Sequence, residues 1–161
     1  MNRFTSFLLL LLITCSSGAP YLYAANKNND FVLFEKIFTD WTLAFNQKKL
    51  APTCALFSKS LIANYQGAPQ KNYTSICHGF KRIFQQTRKN YQYHFKLKQV
   101  YRSGHLAVAR ITWYLQIFEQ GKLISETQDE GLDVFLKDAR NQWKIINFIG
   151  YPVPGNLDEK H

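Results

Sequence analysis

The closing stretch of the chain constrains its fold most. Residues 129–152 read DEGLDVFLKDARNQWKIINFIGYP, two apolar runs flanking the polar turn Asp138-Ala139-Arg140-Asn141. Strand-length apolar runs separated by a short polar break predict an antiparallel hairpin. The same pattern extends backward along the chain. Tyr91, Tyr93, Phe95 and Leu97 alternate with Gln92, His94, Lys96 and Lys98, a period of two with one apolar and one basic face. Between Leu106 and Phe118 the odd positions Ala107, Ala109, Ile111, Trp113, Leu115 and Ile117 are apolar, so that set is expected to face inward. Turns at residues 102–105 and 119–122 complete a meander with strands over 91–98, 106–118, 123–136 and 143–151.

The first half reads differently. Phe31, Phe34, Ile37, Phe38, Trp41 and Phe45 recur at helical spacing, with Asp30 placed to cap the helix N-terminus. Pro52 suits the first turn of a short second helix. A short strand is expected over 61–65, a loop over 67–72 and a third helix over 73–89, with Ile76, Cys77, Phe80, Ile83 and Phe84 inward. Helices at one end and meander strands at the other predict an α+β fold: a cone-shaped, curved antiparallel sheet packed against three N-terminal helices.

The N-terminus reads as an address. Arg3 is the only charge before Lys27, and Phe7–Ile13 is an unbroken apolar run far shorter than the ~20 residues of a membrane span. A short basic region, an apolar core and small residues after it match a secretory signal peptide over residues 1–24, cut after Ala24 or Ala25. Lipoprotein processing at Cys15 is the rival route, weakened by Thr14 before the cysteine. A polar leader over 25–30, a domain over 31–152 and a tail over 153–161 follow. The expected location is secreted or periplasmic. In an oxidising compartment Cys54 and Cys77 are either a disulfide or two buried thiols.

Charge is uneven. The sequence has a formal net charge of +9, and no carboxylate lies between Asp40 and Glu119. That interval holds Lys48, Lys49, Lys59, Lys71, Lys81, Arg82, Arg88, Lys89, Lys96, Lys98, Arg102 and Arg110. Such a surface is either a solvated basic face or a dock for anionic lipid or an acidic protein partner. A secretory address argues against nucleic acid. His78, His94, His105 and His161 have no metal-ligand spacing, and neither a nucleophile elbow nor a glycine-rich phosphate loop is present. Neither a metal nor a cofactor is expected.

The order of elements resembles the nuclear-transport-factor-2-like superfamily, its SnoaL-like branch in particular. Asp40-Trp41 … Ala44-Phe45, Leu50, Ala55-Leu56-Phe57, Gly104-His105-Leu106-Ala107-Val108, Gly131-Leu132-Asp133-Val134-Phe135 and Gln142-Trp143-Lys144-Ile145 carry the resemblance. It implies a cone that binds or transforms small hydrophobic molecules, often in a homodimer. The chain departs from the pattern where relatives often have acidic residues: here stand Lys48-Lys49 and Ser58-Lys59-Ser60.

Expected to line the cone are Trp41, Tyr93, Trp113, Glu130 and Asn147. On the strand over 123–136, Glu130 shares a face with Leu132, Val134 and Leu136, and Asp129 and Asp133 share the other with Phe135. If the Leu/Val face is the inner one, Glu130 looks into the cone, where burial would raise its pKa and suit it to acid/base work. The alternative is an ion pair with Arg110 or another cation of a neighbouring strand. The leading expectation is therefore a module that binds a small apolar or amphiphilic ligand without catalytic residues. The alternatives are an isomerase or lyase using Glu130, and a structural component of an envelope complex.

Overall fold

A computed structural model describes residues 20–153, with side chains from residue 29 onward. The elements in chain order are α1 (Pro20–Asn46), α2 (Leu50–Ala55), β1 (Phe57–Tyr65), β2 (Lys71–Asn72), α3 (Tyr73–Phe84), β3 (Lys89–Ser103), β4 (Leu106–Glu119), β5 (Lys122–Lys137) and β6 (Trp143–Pro152). The expected α+β architecture is present: helices pack on one curved, unclosed six-stranded sheet of order β2-β1-β6-β5-β4-β3. Residues 1–19 of the expected signal peptide and residues 154–161 of the expected tail lie outside the described residues.

The meander follows from the period of two. β3, β4, β5 and β6 pair antiparallel in sequence, and Ala107, Ala109 and Ile111 of the odd set on β4 are fully buried. Their partners come from α1, whose spacing puts Phe34, Phe38, Trp41 and Phe45 on one buried stripe. Phe34 and Phe38 meet Phe135 of β5 edge-on at 4.9 and 5.6 Å between ring centroids. Burying such rings, at roughly 1.5–3 kcal/mol each, dominates what holds helix to sheet.

Several features differ from the sequence expectation, among them β1, which starts at Phe57 rather than 61, and β2, a short strand inside the expected loop over 67–72. The sheet is not wholly antiparallel, because β1 runs parallel to β6, pairing Ala63 with Phe148 and Tyr65 with Gly150. Helix α1 begins at Pro20, so residues 25–30, expected as a polar leader, are helical. Asp30 therefore lies inside the helix rather than at its N-cap, buried and paired with Arg102 at 2.7 Å. α3 ends at Phe84, short of residue 89, where β3 begins.

Two local devices fix the helices. Asn72 and Ser75 cap α3 reciprocally, the Ser75 N–H donating to the Asn72 side chain at 3.0 Å and the Asn72 N–H to the Ser75 hydroxyl at 2.9 Å. A disulfide joins Cys54 of α2 to Cys77 of α3 with Cα atoms 5.7 Å apart, deciding between the two cysteine alternatives. On the opposite side of the sheet, Ile62, Leu106, Leu132, Leu136, Ile149 and Tyr151 are each 42–54 % exposed.

Candidate functional site

A cavity of about 380 Å³ lies between the inner face of the sheet and α3. Its existence traces to glycine. Gly131 of β5 and Gly150 of β6 are cross-strand partners on the inner face; Gly131 leaves the cavity floor without a side chain, and the Tyr65 ring lies over Gly150. Trp41, Phe57, Tyr93, Trp113 and Phe148 wall the space, and Ile76, Phe80 and Ile83 of α3 cover it. The Cys54–Cys77 bond pins that cover to α2.

Two of the aromatic wall residues, Trp41 and Tyr93, are held by hydrogen bonds. The Trp41 indole donates to the Thr53 carbonyl at 2.9 Å, which satisfies its one polar atom and leaves the ring as wall. β3 is the edge strand, and Asn46 takes the place of a neighbouring strand there. Its side chain accepts from the Tyr93 N–H at 2.8 Å and donates to the Tyr93 carbonyl at 3.0 Å. Tyr93 thereby packs against Trp41 and Trp113 at 5.6 Å between ring centroids in both cases.

Two carboxyls look into this space, and neither is Glu130. Phe135 is fully buried against α1 while Leu132 and Leu136 of β5 are each 42 % exposed, so the Phe135 face is the inner one. Asp129 and Asp133 share that face. The Tyr65 hydroxyl donates to Asp129 at 2.5 Å. Tyr65 reaches it by lying across Gly150: a Cβ at that position would meet the Tyr65 ring at 3.1 Å. Asp133 is only 4 % exposed.

Burial sets the electrostatics. It pushes the Asp133 carboxyl from 3.8 up to about 7, opposed by a hydrogen bond from Trp113 that favours the charged form. Burial also raises Asp129, with the Tyr65 hydrogen bond pulling the other way. Tyr65 is driven well above its ordinary value by burial, then by its hydrogen bond to Asp129 and the charge there. Tyr93 rises to about 12 from burial and the Asp129 charge.

Of the five residues expected to line the cone, Trp41, Tyr93 and Trp113 do so. Glu130 borders it with its backbone, but its side chain leaves on the outer face, accepting from Lys98 at 2.5 Å and from Thr112 at 2.9 Å. Burial alone would raise its pKa; the hydrogen bonds from Lys98 and Thr112 and the nearby charges outweigh this and lower it. The condition for an inward Glu130 fails because α1 presents rings, and Phe135 is the side chain of β5 that fills the space between them. Asn147 is also on the outer face. Partners run Val134↔Asn147 and then Phe135↔Ile145, so β6 holds one extra residue, Ile146. That bulge turns Phe148 inward and Asn147 outward with its partners Val134 and Ile62. Sequence reasoning missed Asp129 and Asp133; their shared parity with Phe135 was the available signal.

A second cleft, about 620 Å³ and open to solvent, lies beside the β4–β5 turn, among Lys48, Arg88, Lys89 and Glu119. Arg88 is paired there with Glu119 at 3.7 Å.

No sequence-family profile matches the chain, and no curated protein matches it by sequence. Solved structures do match by shape. An NTF2-like protein with a cystatin-like fold from Novosphingobium aromaticivorans superposes with a TM-score of 0.65 at 11 % identity, over 89 % of this chain and 95 % of that one. The chain has the NTF2-like fold. A ketosteroid isomerase-like protein from Erwinia carotovora atroseptica gives 0.62 at 15 % identity, over 78 % of this chain and 98 % of the other. A protein from Catenulispora acidiphila, in complex with S-DNPA, gives 0.67 at 9 % identity, over 78 % and 95 %. In this fold the cavity is bordered by Gly131, Gly150 and the Asp129–Tyr65 pair.

Proposed function

We propose that the chain is a SnoaL-like binding module that holds a small, largely apolar molecule in the cone, with a polar group of that molecule against Asp133 or against the Asp129–Tyr65 pair. The observation that carries this reading is a cavity of about 380 Å³, walled by aromatic rings, with two carboxyls spaced along β5 on either side of Gly131. That size falls in the ~300–1,000 Å³ range of small-molecule sites, and a mostly apolar wall with few convergent polar groups is their usual composition. The module works outside the cytoplasm, secreted or periplasmic; the Cys54–Cys77 disulfide and the signal-like N-terminus support that placement. Its basic outer surface docks on anionic lipid or an acidic partner.

Native mass spectrometry of mature protein taken from its own source tests the reading. A co-purifying small molecule is expected, lost in Gly131→Leu, whose side chain would occupy the floor of the cavity. Retention of that molecule in Gly131→Leu would place the binding elsewhere and refute it.

A second reading, an isomerase-type enzyme, is favoured by one observation: a buried carboxyl at about 7 is poised to exchange a proton at neutral pH. Asp133, with Asp129 and Tyr65, takes the acid/base role that sequence reasoning gave to Glu130. Exchange of substrate C–H for deuterium in heavy water, abolished by Asp133→Asn, is the outcome that supports it; its absence over a panel of cyclic ketones counts against it.

A further inference from the structure

The cavity is unbalanced in charge. Its interior offers rings and two carboxyls, and among the described residues the cations that border it, Lys71 and Arg82, sit at exposed positions on β2 and α3. An ionised carboxylate has two oxygens and about four acceptor sites. Asp129 receives the Tyr65 hydroxyl and Asp133 the Trp113 indole N–H. Both carboxyls thus retain acceptor capacity beyond these single bonds.

Three kinds of ligand can be weighed against that interior. A ligand carboxylate or phosphate pushed inward would meet two groups of its own sign in a space poor in water, where charge interactions are several times stronger than in bulk. A wholly neutral, apolar ligand would strip the remaining water from both carboxyls and give nothing back. A ligand ammonium supplies the missing positive charge and up to three N–H donors.

We propose that the buried end of the ligand is a protonatable nitrogen, so that the cone takes lipophilic amines, with the ammonium against Asp133 and the apolar body against Trp41, Tyr93 and Trp113. This rests on the binding reading above and narrows it to one chemical class. The amine arrives from neutral water as an ammonium. Where Asp133 is still protonated, binding releases that proton to solvent and leaves an ammonium–carboxylate pair; where Asp133 is already ionised, no proton moves. Affinity therefore rises with pH until Asp133 is ionised in the free protein, and proton release accompanies binding only below that point.

The test uses isothermal titration of the mature protein with three probes of nearly one shape: 4-phenylbutylamine, 4-phenylbutanol and 4-phenylbutyrate. At about pH 8 the amine is expected to bind about tenfold or more tighter than the alcohol, and the butyrate weakest. At about pH 5.5 the amine's advantage over the alcohol shrinks, and its binding enthalpy depends on the ionisation enthalpy of the buffer, the signature of a released proton. In the Asp129→Asn, Asp133→Asn double variant the ratio of amine to alcohol affinity falls to about unity. The pH series on the unmodified protein stands even if that variant does not fold. Alcohol or butyrate binding as tightly as the amine overturns the amine assignment and leaves the cavity a binding site. Failure of all three probes to bind overturns both.

Discussion

Replacing Asp133 by Asn tests the central physical claim, that the inner face buries a carboxyl at a cost. Asn has nearly the same shape and can still accept the Trp113 N–H, so packing is conserved while the titration disappears. In the folded protein the Asp133 pKa stands at about 7, against 3.8 ordinarily. The folded state therefore holds this proton more tightly than the unfolded chain, and stability falls as pH rises between those two values. Each unit is worth about 1.4 kcal/mol, so the displacement of roughly three units amounts to about 4 kcal/mol across the window. Below about pH 4 both states are protonated and the residue contributes no slope; above about pH 7 the full penalty is in place. Urea unfolding of the two proteins, measured from about pH 4 to pH 8.5, isolates Asp133 because every other group cancels in the difference. The variant is expected to match the parent at the acid end and to exceed it by a few kcal/mol, about 4 at most, at the alkaline end. Parallel stability curves would show that the carboxyl is hydrated or paired, and a parent that gains on the variant with rising pH would show a carboxylate stabilised by the fold, the opposite of a costly burial.

Glu130→Gln alters the outer face only: ligand binding is expected unchanged, with a stability loss of about 1 kcal/mol from the Lys98 and Thr112 hydrogen bonds. Because the Glu130 pKa is lowered from 4.5, its contribution is present above that value and is lost as pH falls below it, which acid titration of the unfolding midpoint checks. Gly150→Ala places a Cβ 3.1 Å from the Tyr65 ring, so the ring must give way and the hydrogen bond to Asp129 lengthen. Ultraviolet titration is expected to show one tyrosine ionising at lower pH than in the parent. Cys54 and Cys77 lie 23 residues apart, and changing both to Ser is expected to cost about 3 kcal/mol in urea unfolding. The homodimer implied by the resemblance is expected to cover the outer face around Leu132 and Ile149. Sedimentation then gives a dimer that Leu132→Lys returns to monomer, and a parent that is monomeric at about 100 μM refutes it.

The parts of this fold that sequence made legible are those written in local periodicity. The four long strands, their turns and the aromatic stripe of α1 each carry their signal within a few turns or pairs of residues, so they are found where expected. The pairing of β1 with β6 has no such signal, since Tyr65 meets Gly150 across most of the domain. The site suffers most from this, because it depends on phase and not on composition. On β5 the alternation is clear but its sign is not: Leu132, Val134 and Leu136 on one face look as fit for burial as Phe135 on the other. The sign is set from outside the strand, by the rings of Phe34 and Phe38, which take Phe135 and expose the leucines. On β6 one extra residue reverses the phase midway and sends Asn147 out. The same reasoning explains why a carboxyl is buried at all. Asp133 stands two residues before Phe135 and must share its face, and turning β5 over to release it would expose Phe135, the partner of both α1 rings. Asp133 remains inside because the face that seats Phe135 seats it too, and the glycine at 131 between the two carboxyls leaves space beside them for a ligand.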